Sequence, residues 1–217
     1  MPSLADTSAR AWYIVSRWQE YQGEMRANLL RILCVLALYG VHLVNHYFLI
    51  DAAAREKQLE FHKALTFLCS GWVFVALGVQ LCLRRQWLPA AISYATTAAD
   101  IILVTLTANL GQGPASPAVF GYFLVIVLAG LRFQVVLLWC ASLGCVAGYL
   151  ALLALGHPHW LGSEEAPKMV PRLEEAVVII SLLLSGIILG QIVRQAPNMA
   201  GEYVERLAVL QENEKDQ

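Results

Sequence analysis

The sequence predicts an all-α protein, an integral membrane bundle of six transmembrane helices. Three observations carry that expectation. Of 217 residues, 58% are hydrophobic and only 14% charged, with a mean hydropathy of +0.58. A water-soluble domain carries about a quarter charged residues, so most side chains here do not face water. The stretch Leu29 to Ile50, LLRILCVLALYGVHLVNHYFLI, has the ~20-residue length that crosses a hydrocarbon core of ~30 Å at 1.5 Å per residue. Five further apolar stretches repeat its character.

Residues 1–26 form a cytoplasmic or interfacial amphipathic segment. Its run RAWYIVSRWQEYQGEMR mixes Trp12, Tyr13, Trp18 and Tyr21 with Arg10, Arg17 and Arg26. That mixture suits a helix at the headgroup level, or equally a cytoplasmic linker helix. The first apolar run is too long for a signal-peptide core and lacks a small-residue cleavage site, so it is expected to stay as the first span.

The transmembrane domain covers 27–195, with spans at about 27–50, 63–83, 88–110, 117–132, 134–156 and 174–194. Pro89 suits the start of the third span, where a missing N–H costs nothing. The loop Gly111 to Pro117 leads into the fourth, and Arg132 marks its end. The longer loop His157 to Arg172 contains three prolines with Glu164 and Glu165. Residues 196–217 are a cytoplasmic helical tail in which Val204, Leu207 and Leu210 share a face. This is either the start of a coiled coil leading to an output domain or a free tail.

Lys and Arg counts set the orientation. With the N-terminus inside, ten of these residues fall on the cytoplasmic side, Arg31 and Arg132 among them, and five on the other. N-in and C-in follows. The formal net charge of −1 carries no footprint of nucleic-acid binding. The five cysteines lie inside apolar segments without a CxxC pair, which suits small apolar fillers rather than disulfides.

Under this topology all five histidines reach the outer face. His42 and His46 close the first span four residues apart, His62 opens the second, and His157 and His159 flank Pro158. Imidazoles on one helical face with a third nearby form the donor set of a divalent metal ion. The alternatives are ordinary interfacial hydrogen bonding, proton sensing, or a single outer haem b with two axial imidazoles on different helices.

The third span is the most polar. Ser93, Thr96, Thr97, Asp100 and Thr107 follow a helical stripe expected to face the bundle interior. Asp100 sits near mid-membrane, where an ionised carboxylate costs at least ~3 kcal/mol. It reads as a proton or cation relay, a ligand contact, or a neutral acid held by hydroxyls, with no basic residue expected at its depth. Gly144 with Gly148, and Gly186 with Gly190, form two GxxxG pairs that allow close helix packing, with a homodimer interface there as the alternative use.

Catalytic motifs are absent. There is no GxSxG and no HExxH, so neither a serine elbow nor a zincin helix is present. Glu164 and Glu165 begin an EExxxR-like run, but position 169 is Met and the pair lies outside the spans. No enzymatic activity is expected of these residues.

The stretches RWQEYQGEMRANLLRI, GQGPASPAVFGYFLVIVLAGLRF and LLLSGIILGQIVR sit in an architecture of six short-looped spans with a helical seam after them. In this the chain resembles the membrane input domains of bacterial signalling proteins, the six-span anchors of class III adenylyl cyclases and of some sensor kinases. The resemblance implies a sensor and anchor whose partners are the lipid bilayer, a second copy of the chain and a cytoplasmic output domain or protein. The acidic outer-face cation site proposed for the cyclase relatives is not carried over, because the matching layer here is histidine-rich.

Overall fold

The computed structural model describes the backbone of residues 4–49, 56, 58–85, 89–156 and 172–215, and the side chains within 21–49, 56, 58–85, 89, 91–155 and 173–195. Among the described residues there is no strand. The described residues form six α-helices in succession: α1 Leu4–Val44, α2 Leu59–Arg84, α3 Ala90–Leu110, α4 Gly121–Gly130, α5 Val135–Gly156 and α6 Arg172–Lys215. A π-helical turn, Asn45–Leu49, extends α1, and 3-10 turns Gly113–Ala115 and Pro117–Phe120 precede α4.

Among the described residues five helices are long and apolar enough to cross a bilayer: Tyr21–Leu49, Leu59–Arg84, Ala91–Leu110, Val135–Leu155 and Leu173–Gln195. The protein is by that measure a multi-pass membrane protein. The fourth expected span is different. Pro117–Gly130 is a shorter apolar helix, roughly 20 Å long at 1.5 Å per residue. Its start is well signalled, because Ser116 Oγ accepts the Ala118 N–H at 3.2 Å and Pro117 occupies the first turn.

The segment limits expected near residues 26 and 195 fall inside continuous helices. α1 runs unbroken from Leu4, and α6 is one helix of 44 residues that passes through Pro197. Glu24, Ala27 and Asn28 are buried, so the end of the supposed headgroup segment packs inside the bundle.

Cross-helix contacts fix the helix directions. Tyr21 Oη donates to Leu83 O at 3.0 Å, Asn28 Nδ2 to Ala76 O at 3.1 Å, and Tyr39 meets Thr66 at 2.9 Å, so α1 and α2 are antiparallel. Tyr122 and Thr105 hydroxyls lie 2.8 Å apart, while Arg132 reaches back to Ser93, so the short α4 opposes α3. Gly144 faces Ile101 and Gly148 faces Thr105 and Tyr122, so α5 runs parallel to α3. Gly186 faces Ser142 and Gly190 faces Leu138, so α6 opposes α5. All four glycines of the GxxxG pairs thus meet a neighbouring helix of the same chain.

The apolar core lies among α3, α4, α5 and α6, around Val104, Tyr122, Ile126, Leu138, Cys145 and Leu182. The other half of the molecule, where α1 and α2 meet α3, is held by charge.

Candidate functional site: a charged interior beside an apolar cavity

Two buried ion pairs lie along the inner face of α1. Glu24, Asn28 and Arg31 are spaced by four and three residues and so share one face. The face of α3 opposite carries Ser93, Thr96, Thr97 and Asp100 in the same register.

The first pair joins Glu24 to Arg132. The guanidinium comes from the turn after α4, where a cation also meets the negative end of the helix dipole. Arg132 Nη2 donates to Glu24 Oε1 at 2.8 Å and to Thr96 Oγ1 at 2.9 Å. Its Nη1 donates to Ser93 O at 2.8 Å and to Thr97 Oγ1. Its Nε lies 2.8 Å from Glu24 Oε2, close enough for an ion pair but too bent for a hydrogen bond. Ser93 Oγ donates to the same carboxylate oxygen at 2.9 Å. Thr96 and Thr97, singled out by the sequence, are thus ligands of an arginine.

Two details of backbone make the pair possible. Gly23 lets α1 approach the turn, since a Cβ there would sit 2.9 Å from Leu131 O and 3.0 Å from Arg132 Cα. Phe133 adopts a left-handed φ of 54°, a conformation costing an L-residue about 1–2 kcal/mol, and it turns the chain directly after Arg132.

The second pair joins Arg31 to Asp100. Arg31 Nε donates at 2.9 Å to Oδ1 and Nη2 at 2.7 Å to Oδ2. Trp72 Nε1 donates to Oδ1 at 3.0 Å, and Asn28 Oδ1 accepts from Arg31 Nη1 at 3.0 Å. Both charged side chains are 2–3% exposed. The expectation that Asp100 has no basic partner is therefore corrected. Arg31, counted on the cytoplasmic side from sequence, is buried at the depth of Asp100, which lies midway along α3.

A cavity of about 460 Å³ opens beside this second pair. Its floor is Arg31, Asp100 and Trp72, and its apolar walls come from α1, α2, α3 and the short helix, including Leu65, Val104 and Leu128. It exists because α4 is short, which leaves the space between α1 and the Pro117–Phe120 turn unfilled.

At the far end of α1 the structure brings together three of the five candidate histidines. His42 Nε2 and His62 Nδ1 are 3.0 Å apart. The His46 and His62 rings stack at 4.2 Å with planes 1° apart, and His46 is buried. Among the described residues no group of three or more His, Cys, Asp or Glu side chains is arranged to hold a metal ion. The nitrogens of His42 and His62 that face one another are engaged in a mutual hydrogen bond, and rings stacked at 4.2 Å leave no room for a porphyrin between them. His157 and His159, and the loop pair Glu164 and Glu165, lie outside the described residues. All five cysteines are free thiols.

Sequence reasoning found the α3 stripe and the histidine cluster but missed Glu24, Arg31 and Arg132 as one system. The signal was present. Three polar residues at helical spacing entering an apolar run, opposite a polar stripe, are expected to meet it inside the bundle.

The fold and this site define a class: a multi-pass helical membrane protein with a paired-charge interior and an adjoining apolar cavity. Comparison of the chain with protein-family models, with curated proteins and with solved structures gave no match.

Proposed function

We propose that this chain is the sensor and anchor domain of a signalling protein in a bacterial cytoplasmic membrane. In this reading Pro117–Gly130 is a sixth, short crossing, both ends of the bundle are cytoplasmic, and the working unit is a homodimer. A ligand enters the bundle, favours one packing over another, and α6 passes the difference to the cytoplasmic output domain or partner.

The observation that carries the reading is the position of the short helix. α4 walls the cavity on one side through Leu124 and Leu128, while on another Gly130 lies against Leu189 of α6. α6 then continues as one helix to Lys215. A ligand shifts such an equilibrium only by its differential affinity for the two packings, and a wall that also touches the output helix supplies that difference. The alternative use of Asp100 as a proton or cation relay would make the chain a small proton- or cation-coupled transporter, and its pairing with Arg31 speaks against that, since a carboxylate held by a guanidinium is a poor carrier of protons or cations.

The test uses spin labels at Arg84→Cys and Ala208→Cys in an otherwise cysteine-free chain in liposomes. Filling the cavity with Cys69→Phe is expected to shift the label distance distribution. An unchanged distribution would sink the coupling. The same labels should both be reduced by an impermeant reagent from one side only, and opposite-side exposure would remove the short crossing.

A further inference from the structure

We infer that the cavity binds an uncharged, lipid-soluble molecule whose polar head is a carbonyl acceptor, delivered sideways from the bilayer. This inference rests on the sensor reading for its purpose but on the cavity alone for its chemistry.

Three observations set the class of ligand. The first is the mouth. Leu38 on α1 and Phe120 and Leu124 by the short helix line the cavity and are also exposed on the outer surface of the bundle, 60%, 71% and 39% respectively. A rim of exposed apolar side chains on a lipid-facing surface opens to acyl chains, not to water. The size suits a small lipid, since ligand pockets typically enclose about 300–1,000 Å³.

The second is charge. Arg31 and Asp100 cancel one another, so the floor is polar yet neutral. A carboxylate or ammonium head would add an uncompensated charge to a site closed on its polar side, which low-dielectric surroundings oppose.

The third is hydrogen-bonding capacity. A guanidinium has five N–H donors. Three of those on Arg31 go to Asp100 and Asn28. One hydrogen on each of Nη1 and Nη2 remains without a partner among the described residues, on a side chain 2% exposed that forms the cavity floor. The acceptors at the floor are used up: Asp100 Oδ1 takes Arg31 Nε and Trp72 Nε1, and Oδ2 takes Arg31 Nε and Nη2. Two turns further along the wall, Thr107 and Tyr39 have given their hydrogens to Leu103 O and Thr66 Oγ1 and keep acceptor lone pairs. At the floor itself Arg31 offers donors, while each Asp100 oxygen already accepts two. A carbonyl oxygen satisfies that floor, whereas a hydroxyl head beside Arg31 would bring a hydrogen with no unoccupied acceptor there. From Arg31 to Tyr39 the cavity follows α1 for roughly 12 Å, room for a tail beyond the head.

The experiment compares matched ten-carbon probes on the full chain by native mass spectrometry from mixed lipid micelles. The probes are a decyl-benzoquinone, a decyl methyl ketone, decanol, decanoate and the plain alkane. The expected result is stoichiometric adducts of quinone and ketone, with decanol weaker and decanoate and alkane absent. Equal binding of quinone and ketone would assign a simple carbonyl head. Preference for the quinone would add ring contact with Trp72, and both results support the proposal. Cys69→Phe should abolish the adducts, and Arg31→Lys, which keeps the charge but not the fork of donors, should weaken them about 10–100-fold. Decanoate or alkane binding as well as the ketone would overturn the ligand class while leaving the sensor reading standing. Absence of every adduct from folded protein would overturn the proposal. Ketone adducts without any shift of the tail labels would leave the ligand in place and remove the sensor reading instead.

Discussion

The two buried ion pairs use the same chemistry on the same face of α1 and end in opposite conditions. Glu24–Arg132 is sealed. Both terminal nitrogens of the guanidinium donate twice, Nε rests against the carboxylate, and Thr96, Thr97 and the Ser93 carbonyl complete the shell. Arg31–Asp100, seven residues further along both α1 and α3, is open on one side, because a cavity takes the place of the remaining partners. A pair whose terminal nitrogens are all taken and whose Nε is shut against the carboxylate has nothing to offer a ligand and serves to hold three parts of the chain together. A partly satisfied one beside empty space is where recognition is cheap.

That contrast can be broken most directly at the sealed pair. Glu24→Leu leaves Arg132 buried without its counter-charge and should cost about 3–5 kcal/mol, read as unfolding in mixed micelles. The double variant with Arg132→Leu should recover most of the loss. A single variant that unfolds like the parent would deny the pair any fastening role. Asp100→Leu should cost less, about 2 kcal/mol, because the adjoining cavity gives the abandoned Arg31 room to relax that the sealed Arg132 lacks. If it instead matched Glu24→Leu, the cavity would not be relieving the charge and the distinction between the pairs would collapse. The smallest expected effect sharpens the comparison. Gly23→Ala drives a Cβ into the Leu131–Arg132 backbone and should cost about 1–2 kcal/mol. It should weaken only the sealed pair, leaving probe binding at the cavity unchanged. Loss of both together would mean the two pairs act as one.

The helical class and most of the helices were legible because apolar length is a local property. The start of the short helix was legible too, from Pro117 and Ser116, and its end from Arg132. What the residues did not reveal was that Arg132 turns inward. An arginine at the end of an apolar run ordinarily reaches for the interface, and only the left-handed Phe133 and the approach allowed by Gly23 redirect it. Asp100 was found as an interior acid, but its partner Arg31 is 69 residues away. Periodicity tells which face a residue occupies and leaves open which helix covers that face. The GxxxG pairs show the same limit: they announce close packing without saying whether the neighbour belongs to the same chain. The histidines converged as their spacing implied for His42, His46 and His62, yet as a stack of rings in mutual contact rather than as a set of free donors.

The alternation of sign along α1 has an electrical consequence. Glu24 and Arg31 carry opposite charges on one helix, and Arg132 and Asp100 answer them with the opposite order. A membrane potential does about 2.3 kcal/mol of work on each unit charge per 100 mV. On this quartet the contributions cancel whenever the helices move as a body. The interior can therefore be heavily charged and still be deaf to voltage, so that a change in the energised state of the membrane exerts no net pull on it.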